Sequence, residues 1–396
     1  MLKHLLNILW VRKRKNSLMV IEIGFSFVIL FLLFSLLVEK LENYSRDTGF
    51  STENIMILNL DNQNIFEEFK DKAFVDNLYT SLFQAIRSNN EVIDVTEMDY
   101  AHPYGNSRNT TRLEFKNGIK FYPTEQRFRP SAVNFLDLNF VKGRAFLTED
   151  AHGSKEPIIV NQLFYERLVP YINQDDSFIS EEQEYQIVGV IDNYNFSNDF
   201  DDQLDIVIKN ASFLSWMKDD HQDKIFIKTK NDPRKIEVQL VNQLEKINPK
   251  LKINAGYFDS AQSDKNNNEI LPLFLISFVS LFLVINIALG LYGVLWFNIT
   301  KRKSEIGIRR AMGASTQDIF KQIFSEVALL FIIGILLGSV IAIQFPLLGT
   351  FNFSNTEYLM GALLSLGFVL LITIACGYYP SKLATKITPL EALHEL

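Results

Sequence analysis

The chain has 396 residues, 47% of them apolar and 33 of them Phe, a net charge of −7 and a mean hydropathy of +0.06. That is too apolar for a soluble domain of this length, so a soluble cytoplasmic enzyme is excluded. The lone cysteine, Cys376, excludes a disulfide within the chain, and stability outside a membrane must come from packed cores.

The apolar residues gather in four windows, 17–38, 271–297, 323–348 and 358–379. Each is near the ~20 residues that a helix needs to cross ~30 Å of hydrocarbon. Residues 1–16 place Leu2, Leu5, Leu6, Leu9 and Trp10 at helical spacing ahead of Arg12, Lys13, Arg14 and Lys15, the pattern of an interfacial helix on the inner leaflet. The window that follows has no charge from Ile23 to Val38 and no small-x-small cleavage site, so it reads as an uncleaved anchor rather than a signal peptide.

Charge assigns the sides. Residues 39–270 carry 26 basic and 39 acidic groups, a balance of −13, whereas the rest of the chain carries 13 basic and 7 acidic groups, a balance of +6. Most of these basic groups sit at residues 3–15 and at Lys301, Arg302, Lys303, Arg309, Arg310 and Lys321, while the loop 349–357 has neither Lys nor Arg. The positive-inside rule then puts both termini and the loop 298–322 in the cytoplasm, with the short loop 349–357 and the acidic 39–270 domain outside. The expected spans are therefore 17–38, 271–297, 323–348 and 358–379, followed by a cytoplasmic tail over 380–396.

Within 39–270, residues 54–60 form an apolar run of strand length, Phe74, Leu78, Leu82 and Ile86 recur at helical spacing, and residues 91–98 alternate as a strand. A second such unit follows in residues 224–230, in a helix with Asp232 as cap and Pro233 at its first position, and in 251–257. Two β-α-β units predict a ferredoxin-like layer, and residues 124–223 between them read as an inserted β-rich subdomain. The run 263–268 reads as a short polar linker before the second span. The acidic stretches 175–184 and 199–205 lack the calcium-loop pattern and read as solvated surface.

Catalytic signatures are missing. The five His are scattered with no His-x-x-x-His pair, so no metal site is expected, and no Gly-x-Ser-x-Gly elbow occurs. The dipeptide Gly-Lys never occurs, which removes the lysine loop that cradles nucleotide phosphates. The expectation is a non-catalytic membrane subunit without a cofactor of its own.

The informative segment is 298–322, NITKRKSEIGIRRAMGASTQDIFKQ. Residues 302–312 can form a helix in which Glu305 precedes Arg309 by one turn; Gly313 supplies the left-handed stop, and Ser315 with Asp318 starts the next helix. One reading is a basic anchor on anionic lipid. The other is a rigid elbow, continuous with a membrane helix, that a cytoplasmic partner can push. Inside the spans, Glu22 and Glu326 are carboxylates near the cytoplasmic ends, expected to reach the interface or pair with residues 12–15 rather than carry protons. Gly334-x-x-x-Gly338 and Gly290-x-x-Gly293 are small-residue faces suited to helix packing.

The string EIGIRRAMGAS at 305–315 resembles the loop signature of FtsX-like, MacB-type permeases of ABC transporters. The ending YYPSKLATKITPLEALHEL at 378–396 and the segments NFLDLNFVKGRAFLTED, EPIIVNQ and EYQIVGVIDNYNF of the outer domain are similar to that family as well. The chain departs from it at 164–184, where an acidic segment replaces a Gly-rich turn. The resemblance implies four transmembrane helices carrying a MacB-like α+β domain on the outer face of a bacterial inner membrane. It implies a dimer with a second permease, identical or different, and two copies of an ATPase subunit that uses ATP and Mg. A periplasmic adaptor or outer-membrane factor is a further implied partner, and nucleic acid is not one. Glu305, Ile306, Gly307, Arg309, Arg310, Gly313 and Ala314 would form the ATPase-coupling element. Two roles fit: export or extraction of a peptide, drug or lipoprotein, favoured by the size of the outer domain, or regulation of an outside enzyme such as a wall hydrolase, with nothing transported.

Overall fold

The computed structural model describes residues 13–61, 71–99, 101–212 and 224–385. Most of the expected interfacial helix over 1–16, and the tail from residue 386, lie outside the described residues. Two compact units divide the chain: Asn43–Ile270, and the spans formed by Met1–Glu42 with Leu271–Leu396.

In the first unit, a four-stranded antiparallel sheet has the order Lys252–Tyr257, Ile55–Asp61, Lys224–Thr229, Val92–Met98. Each β-α-β unit is split, because a strand of the other unit lies between its own two strands. The side-chain period of two explains the layering. Met56 and Leu58 face the helices Lys72–Arg87 and Glu237–Glu245, joining Leu78, Leu82, Ile86, Leu240 and Leu244 in one core. Ile55 and Ile57 point the other way, into a second core with Tyr104, Phe128, Phe226 and Phe258. Both faces of this sheet are therefore buried, which is why residues 54–60 read as a continuous apolar run.

The inserted sheet is mixed and seven-stranded; it runs Asn109–Thr110, Thr124–Phe128, Ile206–Asn210, Glu156–Asn161, Gln183–Ile191, Phe140–Gly143, with Ser177–Ser180 pairing Gln183–Ile191. It begins upstream of the expected boundary at residue 124, since its first strand has two residues, too few for any alternation to register. The acidic segment 173–184 is a hairpin, turned at Glu181 with φ 55°. Asp175 bonds Ser177 and Lys155, which hold its carboxyl down to about 2.

The second unit holds helices long and apolar enough to cross a membrane within Lys13–Ser45, Phe258–Thr300, Thr316–Ala342 and Asn355–Ala384. The expected linker over 263–268 is corrected: it is helical, part of Phe258–Thr300. Asn-rich sequence is a poor helix former. Here tertiary bonds override it, because Gln262 and Asn266, one turn apart, both donate to the Asp199 carboxylate at 2.8 and 2.7 Å.

The first and third spans touch backbone to backbone. A Cβ on Gly24 would lie 2.9 Å from the Gly334 carbonyl oxygen, and one on Gly338 would lie 2.8 Å from that of Gly24. Around this contact Met19, Ile23, Phe27, Leu30, Val327 and Leu330 close an apolar core.

Candidate functional site

The elbow helix, Lys303–Ala311, follows a break at residues 301–302 and ends in a turn that only backbone freedom permits. Gly313 has φ +96°, and the Ala314 amide bonds the Arg309 carbonyl at 3.0 Å, a Schellman closure. Ser315 then caps the third-span helix: its hydroxyl accepts from the Asp318 amide at 3.2 Å, and its own amide donates to the Asp318 carboxylate at 3.1 Å. The turn thus sends the chain back along the face of the elbow.

Between these two helices lies a small apolar core. Ile306, 5% exposed, packs with Ile299, Ile319 and Ile323, and Ala314 borders them. Gly307 is buried as well, whereas Ile308 and Met312 stand out at 52% and 83% exposure. One turn apart, these two form an uncovered apolar step on the elbow's outer face.

A polar ring closes over the core. Arg302 forks onto Glu326 with contacts of 2.7 and 3.2 Å and reaches Glu305 at 3.2 Å. Glu305 accepts from Arg309 at 2.9 Å, Arg309 bonds Gln322, and Gln322 donates to Glu326 at 3.4 Å. Burial opposes the Arg302 charge, but Glu326 and Glu305 outweigh it and raise the guanidinium pKa. Glu326 pairs with Arg302 in this ring, and Arg309 makes the expected one-turn contact with Glu305. The side chains of residues 12–15, the other expected partners of Glu326, lie outside the described residues. The side chain of Arg310 lies outside the described residues.

The remaining candidates separate. Gly334 and Gly338 sit in the contact with Gly24. A Cβ on Gly290 would collide with the Glu22 carboxylate, so that glycine makes room for an acid. Gly293 has nothing within 4 Å of where its Cβ would stand. Among the described residues no group of three or more acidic, His or Cys side chains is arranged to hold a metal.

Residues 277–389, which take in the elbow and the last two spans, match the FtsX-like permease C-terminal family. The macrolide export ATP-binding/permease protein MacB of Bdellovibrio bacteriovorus is 28% identical over 200 residues, covering 50% of this chain and 29% of the relative. MacB of Campylobacter fetus is 28% identical over 272 residues, 65% of this chain and 41% of its own length. The pyoverdine export ATP-binding/permease protein PvdT of Pseudomonas syringae is 24% identical over 267 residues, 64% of this chain and 40% of its own length. The C-terminal part of the chain thus matches the FtsX-like permease family, and longer stretches of it are similar to MacB-type permeases. Its matched stretches span less than half the length of these relatives.

Residue patterns missed several parts of this structure. The Arg302–Glu326 and Arg309–Gln322 contacts went unforeseen because the partners lie 24 and 13 positions apart, beyond one helical turn. Gly24 and Gly361 stand alone in sequence, yet Gly361 lies against the Ser35 backbone as Gly24 does against Gly334. The acidic stretch 199–205 hides Asp199, 6% exposed, which accepts from Tyr104 at 2.6 Å and from Asn195 at 3.2 Å in addition to its two helix donors. Burial, with the Asp199 hydrogen bond next, raises the Tyr104 pKa far above its ordinary value.

Proposed function

We propose that this chain is the permease subunit of an ABC transporter in which a separate ATPase polypeptide docks on the elbow, and the stroke moves the outer domain. The observation that carries this reading is the elbow: a short helix whose Ile306 is braced from behind by Ile299, Ile319 and Ile323, and which presents Ile308 and Met312 outward. Such a helix can bear a load without unfolding, and an apolar step is what a partner surface can bury. The phosphate-binding lysine loop must come from outside these 396 residues, since the sequence holds no Gly-Lys. The elbow side is cytoplasmic on the charge asymmetry, which puts 43–270 outside the inner membrane. Two permeases, alike or different, would flank two ATPases, with ATP and Mg used by those partners alone. Relatives named for macrolide and pyoverdine export support a reading in which a drug-like or peptide cargo is exported. An adaptor outside would continue the path.

Co-purification tests the reading. The wild-type chain in detergent should retain its ATPase, and Ile308→Asp with Met312→Asp should release it while the chain still inserts. Equal ATPase recovery by this variant would overturn docking on the elbow. ATP hydrolysis sustained by the isolated chain would overturn the division of labour.

A further inference from the structure

The polar ring has a geometry that a docking role alone does not require. The elbow helix and the start of the third-span helix run antiparallel, joined at one end by the turn at Gly313. Arg302 precedes the elbow, and Glu326 lies ten residues into the third-span helix, about 15 Å from its start at 1.5 Å per residue. Their fork therefore closes the open end of the hairpin. Arg309 on Gln322 ties the middle, and Ile306 against Ile319 and Ile323 fills the space between. With side-chain exposures of 11% and 13%, Arg302 and Glu326 are the most enclosed ion pair among the described residues of the elbow. Two acids and two arginines cancel, so the ring holds no net charge.

We propose that Glu326 is a positioning residue: through Arg302 it zips the elbow onto the first three turns of the third-span helix, so the two move as one body. The inference deepens the proposed function, on which it rests for the load that the zipped hairpin would carry. A hairpin held only at Gly313 would swing about that residue, and a push on Ile308 and Met312 would be lost in the turn. Zipped at both ends, the same push reaches the third span, and from there the first span through the Gly24, Gly334 and Gly338 contact.

The test needs no ATPase at its first step. In full chain carrying Cys376→Ser, spin labels at Met312→Cys and Leu336→Cys, both on exposed positions, report the elbow-to-span distance in nanodiscs by double electron–electron resonance. We expect a narrow distribution in this background and a broadened one in Glu326→Leu and in Arg302→Leu. Exchange of the pair, Arg302→Glu with Glu326→Arg, should narrow it again, which a general loss of fold would not allow. Unchanged width in both single variants, or no narrowing on exchange, would overturn the zip. Adding the ATPase separates the two claims. Glu326→Leu should keep the ATPase bound while losing permease-stimulated hydrolysis; a zip that fails with docking intact refutes the positioning role alone, and lost docking in the Ile308 and Met312 variant bears only on the elbow surface.

Discussion

The outer unit and the span unit of this chain both bury polar groups, and they do so by different means. In the inserted sheet, Lys209 sits between Glu125 at 3.2 Å and Glu156 at 3.7 Å, with Arg127 also on Glu125 and the Tyr185 ring beneath the lysine. Burial works against the Lys209 charge, but the two carboxylates prevail and raise its pKa; burial raises that of Glu156. These groups stand on adjacent, hydrogen-bonded strands. In the span unit the elbow ring lies at a helix surface, with Glu305 and Arg309 more than a third exposed. The contrast teaches that a charge cluster in the sheet is a static brace whose loss appears as lost stability, whereas the ring joins two helices and its loss appears as lost coordination.

Lys209→Met should break the comparison most forcefully. It leaves two carboxylates facing each other in the core, and removing one partner of a buried pair costs about 3–5 kcal/mol. Thermal unfolding of the full chain in detergent, followed by intrinsic fluorescence, should show the outer transition falling while the span helices melt as before. A wild-type outer transition would mean that the sheet tolerates the unpaired acids and is no brace.

Acid should act on the outer unit by a second route. His102 is 2% exposed, and burial, then Lys224 3.0 Å from Nε2, lower its pKa to about 4 from 6.5, while Nδ1 donates to the Pro103 carbonyl. The neutral ring is the folded form, so its stabilisation is complete above pH 6.5 and is lost as pH falls toward about 4, where the unfolded chain alone takes the proton. The loss amounts to at most about 3 kcal/mol. His102→Gln should flatten the dependence in that window; an unchanged slope would assign it to other groups.

On the span side, Gly338→Val places new atoms against the Gly24 carbonyl at 2.8 Å and the Phe27 ring at 3.0 Å. Overpacking of this kind costs about 1–3 kcal/mol, and the helix melt in detergent should fall while the outer transition stays. Gly313→Val should act less on stability, by roughly 1–2 kcal/mol for a β-branched residue at φ +96°. Because nothing lies within 4 Å of a Cβ at Gly313, the strain is in the backbone alone, and Gly313→Asn should restore most of it.

The same division runs through what the residue pattern foretold. Helical spacing of Leu78, Leu82 and Ile86 marks a buried face, and the alternation of residues 91–98 marks an edge strand, because each depends on neighbours within a few positions. The capping pair Ser315 and Asp318 and the turn at Gly313 are legible for the same reason. Arg302 with Glu326 is not, since both are charged groups in separate segments and each alone resembles an interfacial residue. Asp199 is the sharpest instance: composition around it says solvent, yet five hydrogen bonds from Tyr104, Asn195, Gln262, Asn266 and its own amide to Asn266 hold it in the interior. Short strands such as Asn109–Thr110 are set by pairing with Thr124–Phe128 and carry no period of their own.

Hydrogen exchange of the assembled complex tests the central claim most directly. The permease with its ATPase in nanodiscs would be compared nucleotide-free and vanadate-trapped, reading amides in 192–205 and 258–270, where Asp199 meets Gln262 and Asn266. Transmission predicts that protection in these outer segments changes with the nucleotide state and that Ile308→Asp with Met312→Asp abolishes the change. Identical exchange in both nucleotide states, with the ATPase bound and turning over, would contradict the account.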